Sequence, residues 1–325
     1  MAEFGCKYCG AKAIVRYGMS PQGEQTWWCK VCERKFVDND AMPGMRTPTD
    51  QVGLALLAFY DGSSLGAIRR QLKQQYGNDP SDPAVYGWIT KYSEAAISKT
   101  KNLHPTVSDV WIADETVLNI AGKNVWFWDV MDAKTRFLLA SHMSATRGIR
   151  DVKALMEDAA RCAGKAPRVV VTDKLLAYIN GIELTFGADT KHIQSQGFSV
   201  QPNTNLIERL HGSIKARTKV MRGLKSIPSA YLFMDGWATH YNFIRPHEGL
   251  GDKTPAQKAG LVSPFKNWLE VANEPTKPSE VTFDRIERGG SLLPQARQHV
   301  GRSYRRHQFR QRPTPTPSLS KTRIA

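Results

Sequence analysis

Val110-Trp111-Ile112-Ala113-Asp114 and Arg168-Val169-Val170-Val171-Thr172-Asp173 each run a short apolar stretch into an aspartate. Such runs, rich in β-branched and aromatic residues, read as buried strands. Asp114 and Asp173 are therefore expected at the C-terminal ends of two strands. Working outward, Leu118-Asn119-Ile120, a turn at Ala121-Gly122-Lys123-Asn124, Val125 to Val130 and Thr135 to Ala140 continue the strand-like pattern. Helical spacing returns over 150–163 through Val152, Leu155, Met156 and Ala159, and again near Leu175 to Ile182 and Tyr231 to Tyr241. Hairpins followed by helix, strand and helix predict a layered α/β domain with acids at strand ends.

A third acid, Glu208, lies in Asn205-Leu206-Ile207-Glu208-Arg209-Leu210-His211, with 34 residues (174–207) between it and Asp173. Ile207, Leu210 and Ile214 make the buried stripe of a helix there, and Glu208, His211 and Lys215 share a neighbouring face at i, i+3 and i+7. Glu115, next to Asp114, is expected on the opposite strand face and makes a poor partner for this set. An aspartate at a strand end taken singly is more often a turn or cap residue. Three acids from separate elements offer another use. Hard divalent ions take oxygen ligands, and two of them about 3.5–4 Å apart can stabilise both oxygens of an in-line phosphoryl displacement.

The composition bounds the partners. A net charge of +15 and a pI near 9.6 favour a polyanion, either nucleic acid or an anionic membrane surface. No apolar run of 18 residues appears, and Met1-Ala2-Glu3-Phe4-Gly5-Cys6 has no signal-peptide core, so the expectation is a cytoplasmic protein with reduced thiols and no membrane partner.

Four of the five cysteines fall as Cys6-x2-Cys9 and Cys29-x2-Cys32, 19 residues apart (10–28). Two such pairs supply four thiolates that can converge on one structural Zn²⁺; disulfides are the alternative. Gln25-Thr26-Trp27-Trp28 supplies strand material between the knuckles, and residues 1–38 are too few to fold around an apolar core alone. Cys162 stands apart as a small core residue in a helical pattern.

Residues 48–100 read as three helices. Val52, Leu56, Leu57 and Phe59/Tyr60 line the first. Ser63 or Ser64 caps a second with Leu65, Ile68, Leu72 and Tyr76 along it, and Ser81 precedes a third with Pro83 in its first turn. The second is basic through Arg69, Arg70 and Lys73, which suits either a helix-turn-helix that lays a helix in the major groove or a plain three-helix spacer.

The flanks of the acids carry a resemblance. Trp111-Ile112-Ala113-Asp114-Glu115-Thr116, Thr172-Asp173-Lys174, and Asn205-Leu206-Ile207-Glu208-Arg209 with His211, Lys215 and Arg217 are similar to the three acidic motifs of DDE insertion-sequence transposases, in the superfamily of retroviral integrases. Cys29-Lys30-Val31-Cys32-Glu33-Arg34-Lys35-Phe36 resembles the zinc ribbons that open many of them. The closing segments Tyr241-Asn242-Phe243-Ile244-Arg245-Pro246-His247, Leu250-Gly251 and Thr254-Pro255-Ala256 resemble the end of the integrase core. The resemblance implies an RNase-H-like mixed-sheet core over 106–262, preceded by a zinc ribbon at 1–38 and a helix-turn-helix-like module at 48–100. It implies that Asp114, Asp173 and Glu208 hold two Mg²⁺ or Mn²⁺ ions, and that Lys215, Arg217 and His211, with Arg69, Arg70 and Lys73, contact DNA. The implied activity is cleavage of transposon ends and their transfer into target DNA by a homodimer or larger assembly, nucleoid-associated when bound. A silent DNA-binding regulator and a nuclease that cuts without joining are the alternatives.

From 263 onward the resemblance fades. Val281-Thr282-Phe283 suggests one short strand, and Gly289-Gly290 a break. From Arg297 to Ala325 there are eight Lys or Arg and no Asp or Glu, with Pro313-Thr314-Pro315-Thr316-Pro317 among them. That composition predicts a disordered basic extension, either a DNA clamp or a solvated tail.

Overall fold

A computed structural model describes residues 5–20, 23–39, 41–42, 44–195, 204–221 and 223–274; the segment from 275, including the expected strand at 281–283 and the basic arm from 297, lies outside the described residues. The chain opens with an antiparallel three-stranded sheet, β1 (Ile14–Met19), β2 (Gln25–Cys29) and β3 (Lys35–Val37), in the order β1-β2-β3. Its small interior is Cys6, Cys29 and Phe36. That is little apolar area for a unit of this size to bury.

Three helices follow, α1 (Thr49–Tyr60), α2 (Leu65–Tyr76) and α3 (Asp82–Thr100). Ser64 and Ser81 cap α2 and α3 by accepting from the amides of Ala67 and Ala84, and Gly77 ends α2 with φ +66°. These helices do not stand apart from the rest. Tyr60 of α1 stacks on Trp268, and its hydroxyl lies 2.6 Å from that of Ser93 on α3. One apolar interior runs from Val52 to Ala272.

The second sheet joins β4 (Val110–Ile120), β5 (Lys123–Asp132), β6 (Leu138–Ser144), β7 (Val169–Thr172) and β8 (Lys191–Gln194) in the order β6-β5-β4-β7-β8. The first three strands form an antiparallel meander, and β7 and β8 add in parallel to β4. Ala121 and Gly122, both at positive φ, make the tight turn between β4 and β5. A mixed five-stranded sheet in an α/β domain is what the resemblance implied for this region. β4 departs from expectation in length. It continues past Asp114 to Ile120, because β5 pairs with it along the whole run from Trp111 to Ile120, whereas β7 pairs only with Val110 to Ile112.

Helices cover both faces. α4 (Ile149–Ala163) and α5 (Leu176–Phe186) pack on one, where Tyr178 and Phe186 meet Trp128 and Trp111 edge-on. α6 (Asn205–Val220) and α7 (Ile227–Thr239) lie on the other. Phe233 of α7 packs edge-on against Phe59 of α1, which ties the N-terminal helices to this layer. Gly236 of α7 leaves room for Tyr60, since a Cβ there would stand 2.1 Å from its hydroxyl. Beyond α7 the chain makes a π-helical turn at 240–244. There the Asn242 amide accepts from the Leu138 N–H and donates to the Leu138 carbonyl, both at 2.9 Å, closing part of the β6 edge. Short helices α8 (Pro255–Lys258) and α9 (Trp268–Ala272) complete the described chain. Among the described residues no helix is long and apolar enough to cross a membrane.

Candidate active site

The parallel pairing of β4 with β7 stops at Ile112 opposite Val171. Two residues further along each strand come Asp114 and Asp173, at the same level of the sheet and just past the last shared hydrogen bonds. Asp114 is thus an interior residue of β4 at the point where that strand loses a neighbour. The gap leaves space for side chains. Carboxylate oxygens of Asp114, Glu115 and Asp173 all lie within 4.8 Å of one another. Asp173 is also held from behind, as its Oδ1 accepts from the Leu175 amide at 2.9 Å at the start of α5.

Glu115 was expected to point away from this cluster. Its partner Tyr178 does lie on the α5 side, donating to Oε2 at 2.9 Å. Yet the carboxylate reaches the aspartates, because on the β7 side of β4 the pairing has already ended at Ile112 and no strand walls it off there. Arg147 donates to Glu115 Oε1 through Nε at 2.8 Å and through Nη2, and Nη2 also stands 3.8 Å from Asp173 Oδ2. The same guanidinium lies over the Trp126 ring, 4.6 Å from its centroid. Burial raises the Glu115 carboxyl above its usual range; Arg147 opposes that shift and the nearby Asp173 adds to it.

Glu208 sits in the first turn of α6, and its Oε1 accepts from the Thr204 hydroxyl at 2.7 Å. The structure does not bring its carboxylate into the three-acid cluster. It does bring the next turn of the helix there. His211 Nδ1 lies 3.4 Å from Asp114 Oδ2, and its Nε2 lies 3.0 Å from Asp129 Oδ2. Asp129 is fully buried on β5, and its Oδ1 accepts from the Ser141 hydroxyl at 2.5 Å. Burial alone would lower the His211 pKa, but Asp114 and Asp129 hold it up at about 9.

Two of the expected DNA contacts are buried. His211 is 4% exposed and committed to the aspartates, so it faces the sheet rather than solvent. Arg217 is 3% exposed, with its guanidinium 4.0 Å above the Phe59 ring and also near Phe233. Both positions, one on either side of Lys215 in the chain, turn inward because the helix is covered on two sides, by the sheet and by α1 with α7. Lys215 is exposed. On α2, Arg70 is exposed, whereas Arg69 pairs with Asp79 and Asp82, and Lys73 with Asp79. Exposed pairs of this kind are worth little and can exchange for a phosphate.

Sequence reasoning passed over Asp129 and Arg147. Asp129 carried a signal: a charged residue inside Trp126-Phe127-Trp128-Asp129-Val130-Met131 must find a buried partner. Arg147, in the loop before α4, carried none.

In the small N-terminal sheet the Cys6 and Cys32 sulfurs are 3.6 Å apart and those of Cys9 and Cys29 3.7 Å apart, with all four within 4.8 Å and none disulfide-bonded. Four thiolates at the usual Zn–S length of about 2.3 Å stand roughly 3.75 Å apart in a tetrahedron, so this set fits Zn²⁺.

The DDE domain family matches residues 108–247. The catalytic core domain of the HTLV-2 integrase, solved in complex with magnesium, is similar to the chain at 17% identity, covering 49% of this chain and 99% of that one with a TM-score of 0.37. The BIV integrase catalytic core gives 16%, 47%, 93% and 0.36. The simian T-cell lymphotropic virus intasome, in complex with PP2A regulatory subunit B56 gamma, gives 12%, 69%, 76% and 0.34. No curated protein matches the chain in sequence.

Proposed function

We propose that this chain, which matches the DDE domain family over residues 108–247, is a DNA transposase that cleaves transposon ends and joins them to target DNA. The observation that carries this reading is the convergence of Asp114 and Asp173 where β4 and β7 part. Their hard oxygen donors suit Mg²⁺ or Mn²⁺. Asp114, Asp173 and, from α6, Glu208 would hold the ions, which when bound supply Lewis-acid stabilisation of the attacking and leaving oxygens.

The chain's own residues position the rest. Glu208 lies one turn before the His211 anchor on the same helical face, and release from Thr204 would free its carboxylate for the ions. Lys215, two turns along the same helix, addresses the phosphate backbone of the bound end. Arg70, with Arg69 and Lys73 released from their aspartates, gives α2 a basic face for duplex DNA. Phosphate contacts of this kind fix register without reading sequence. Cys6, Cys9, Cys29 and Cys32 would hold one structural Zn²⁺, shaping the N-terminal sheet as a second DNA-binding unit. Joining two ends requires two copies of the site, hence a dimer or larger assembly on DNA.

The test is strand cleavage and joining on a labelled DNA end taken from the repeats flanking the gene, in Mg²⁺, Mn²⁺ and EDTA. Joined product that needs the divalent ion supports the reading. Cleavage without joining would make the protein a nuclease. DNA binding with neither activity would make it a regulator.

A further inference from the structure

The sheet face beneath α6 holds a buried ionic chain that metal binding by three acids does not by itself require. Asp114 and Asp129 are directly paired across β4 and β5, so both side chains project from the same face. His211 reaches down from α6 and bridges them, Nδ1 to Asp114 at 3.4 Å and Nε2 to Asp129 at 3.0 Å. Ser141 from β6 fixes the far oxygen of Asp129, and Phe127 packs against the imidazole edge at 6.5 Å. The chain thus crosses three strands and one helix, Ser141–Asp129–His211–Asp114, and ends on a proposed metal ligand.

We infer that His211, oriented by Asp129, is a positioning residue that sets the Asp114 carboxylate and the seating of α6, so that Asp114 and Glu208 present their oxygens to the same ions. This rests on the reading of Asp114 and Glu208 as metal ligands. Three features support it. The imidazole is 4% exposed and Asp129 fully buried, so neither serves solvent or DNA directly. Glu208 precedes His211 by three residues on one helical face, so fixing His211 fixes the rotation and height of Glu208 over the sheet. Asp114 is the one member of the three-acid cluster that His211 touches among the described residues. Partners behind a ligand in this way orient it, and losing them typically costs roughly 10–100-fold in metal affinity.

His211→Gln alone would strand Asp129 as a buried unpaired charge, and such a variant can fail to fold. The double variant His211→Gln/Asp129→Asn avoids this. It replaces a cation and an anion with two neutral amides able to hydrogen-bond each other, so the net charge is unchanged. The lost cation is nearer Asp114 than the lost anion, so electrostatics alone would strengthen ion binding, and a loss reports positioning.

The measurement is Mn²⁺ binding to the zinc-loaded full chain, by electron paramagnetic resonance titration, for wild type, the double variant and Asp114→Asn, with melting temperatures recorded in the absence of Mn²⁺. A second readout is the Mg²⁺ dependence of strand cleavage. The expected result is Mn²⁺ affinity about 10–100-fold weaker in the double variant, with a folded chain and cleavage partly restored by high Mg²⁺. Wild-type affinity in a folded double variant would overturn this inference alone. An unfolded double variant would also overturn it, by making the chain a structural element. Failure of wild type to bind Mn²⁺ more tightly than Asp114→Asn would overturn the proposed function as well.

Discussion

Asp114 and Asp129 stand directly opposite one another on adjacent strands, with the His211 ring between them. Like charges at such a pair of positions repel, and here an imidazolium offsets both. The arrangement ties stability to pH. His211 is held at about 9, above its ordinary 6.5. Its contribution is therefore fully present below about 6.5 and is lost as pH rises through about 9. In the absence of Mg²⁺ and Mn²⁺, denaturant unfolding between pH 6 and pH 10 should show a loss on the order of 3 kcal/mol across that window. The double variant His211→Gln/Asp129→Asn should flatten it.

Lys215 and Arg217 are two residues apart on α6 and are expected to behave oppositely. Lys215→Ala should weaken binding to all duplexes alike and lower the slope of log affinity against log salt by about one. Arg217→Met should leave that slope unchanged. The Nε and both Nη atoms of Arg217 have no hydrogen-bond partner among the described residues, and burial pulls its pKa down to about 10. The stacking on Phe59 returns roughly 2 kcal/mol of the desolvation cost. Chemical denaturation of Arg217→Met should show stability equal to or above wild type, and a salt titration of DNA affinity completes the comparison.

The four-cysteine cluster predicts one zinc per chain and a ribbon that melts on its own. Its interior is separate from the larger one. Cys29→Ser should abolish stoichiometric zinc, measured by atomic absorption, and change the fluorescence of Trp27 and Trp28. The main unfolding transition should be retained within about 1 kcal/mol, since the two interiors share no residue and changes at independent sites do not couple.

How far the sequence led is clearest at single residues. Asp114 and Asp173 were legible because each closes an apolar run, whereas the mixed sheet around them was implied only by the resemblance of their flanks. The interior position of Asp114 in β4 was not legible, because where a strand ends depends on which neighbour pairs with it. The four residues of β8, Lys191-His192-Ile193-Gln194, lack any alternation, being a short edge strand held by β7. Helical periodicity placed Glu208, His211 and Lys215 on one face. It gave no sign that this face is divided, with His211 buried against the sheet and Lys215 in solvent. Glu115 shows the same limit: alternation puts its Cβ on the α5 side, and only the missing neighbour strand lets its carboxylate join the aspartates.

That last point bears on which acid completes the site. In the structure Glu115 is clustered with Asp114 and Asp173, while Glu208 rests on Thr204. Glu115, however, is engaged by Arg147 and Tyr178, whose hydrogen bonds a glutamine would keep in part. The deciding measurement is strand joining on a labelled end in Mg²⁺ by Glu208→Gln and Glu115→Gln, each shown to bind DNA as wild type does. The account predicts no joined product from Glu208→Gln and clear activity from Glu115→Gln. Joining retained by Glu208→Gln and abolished in Glu115→Gln would contradict it, and would place the third ligand on β4.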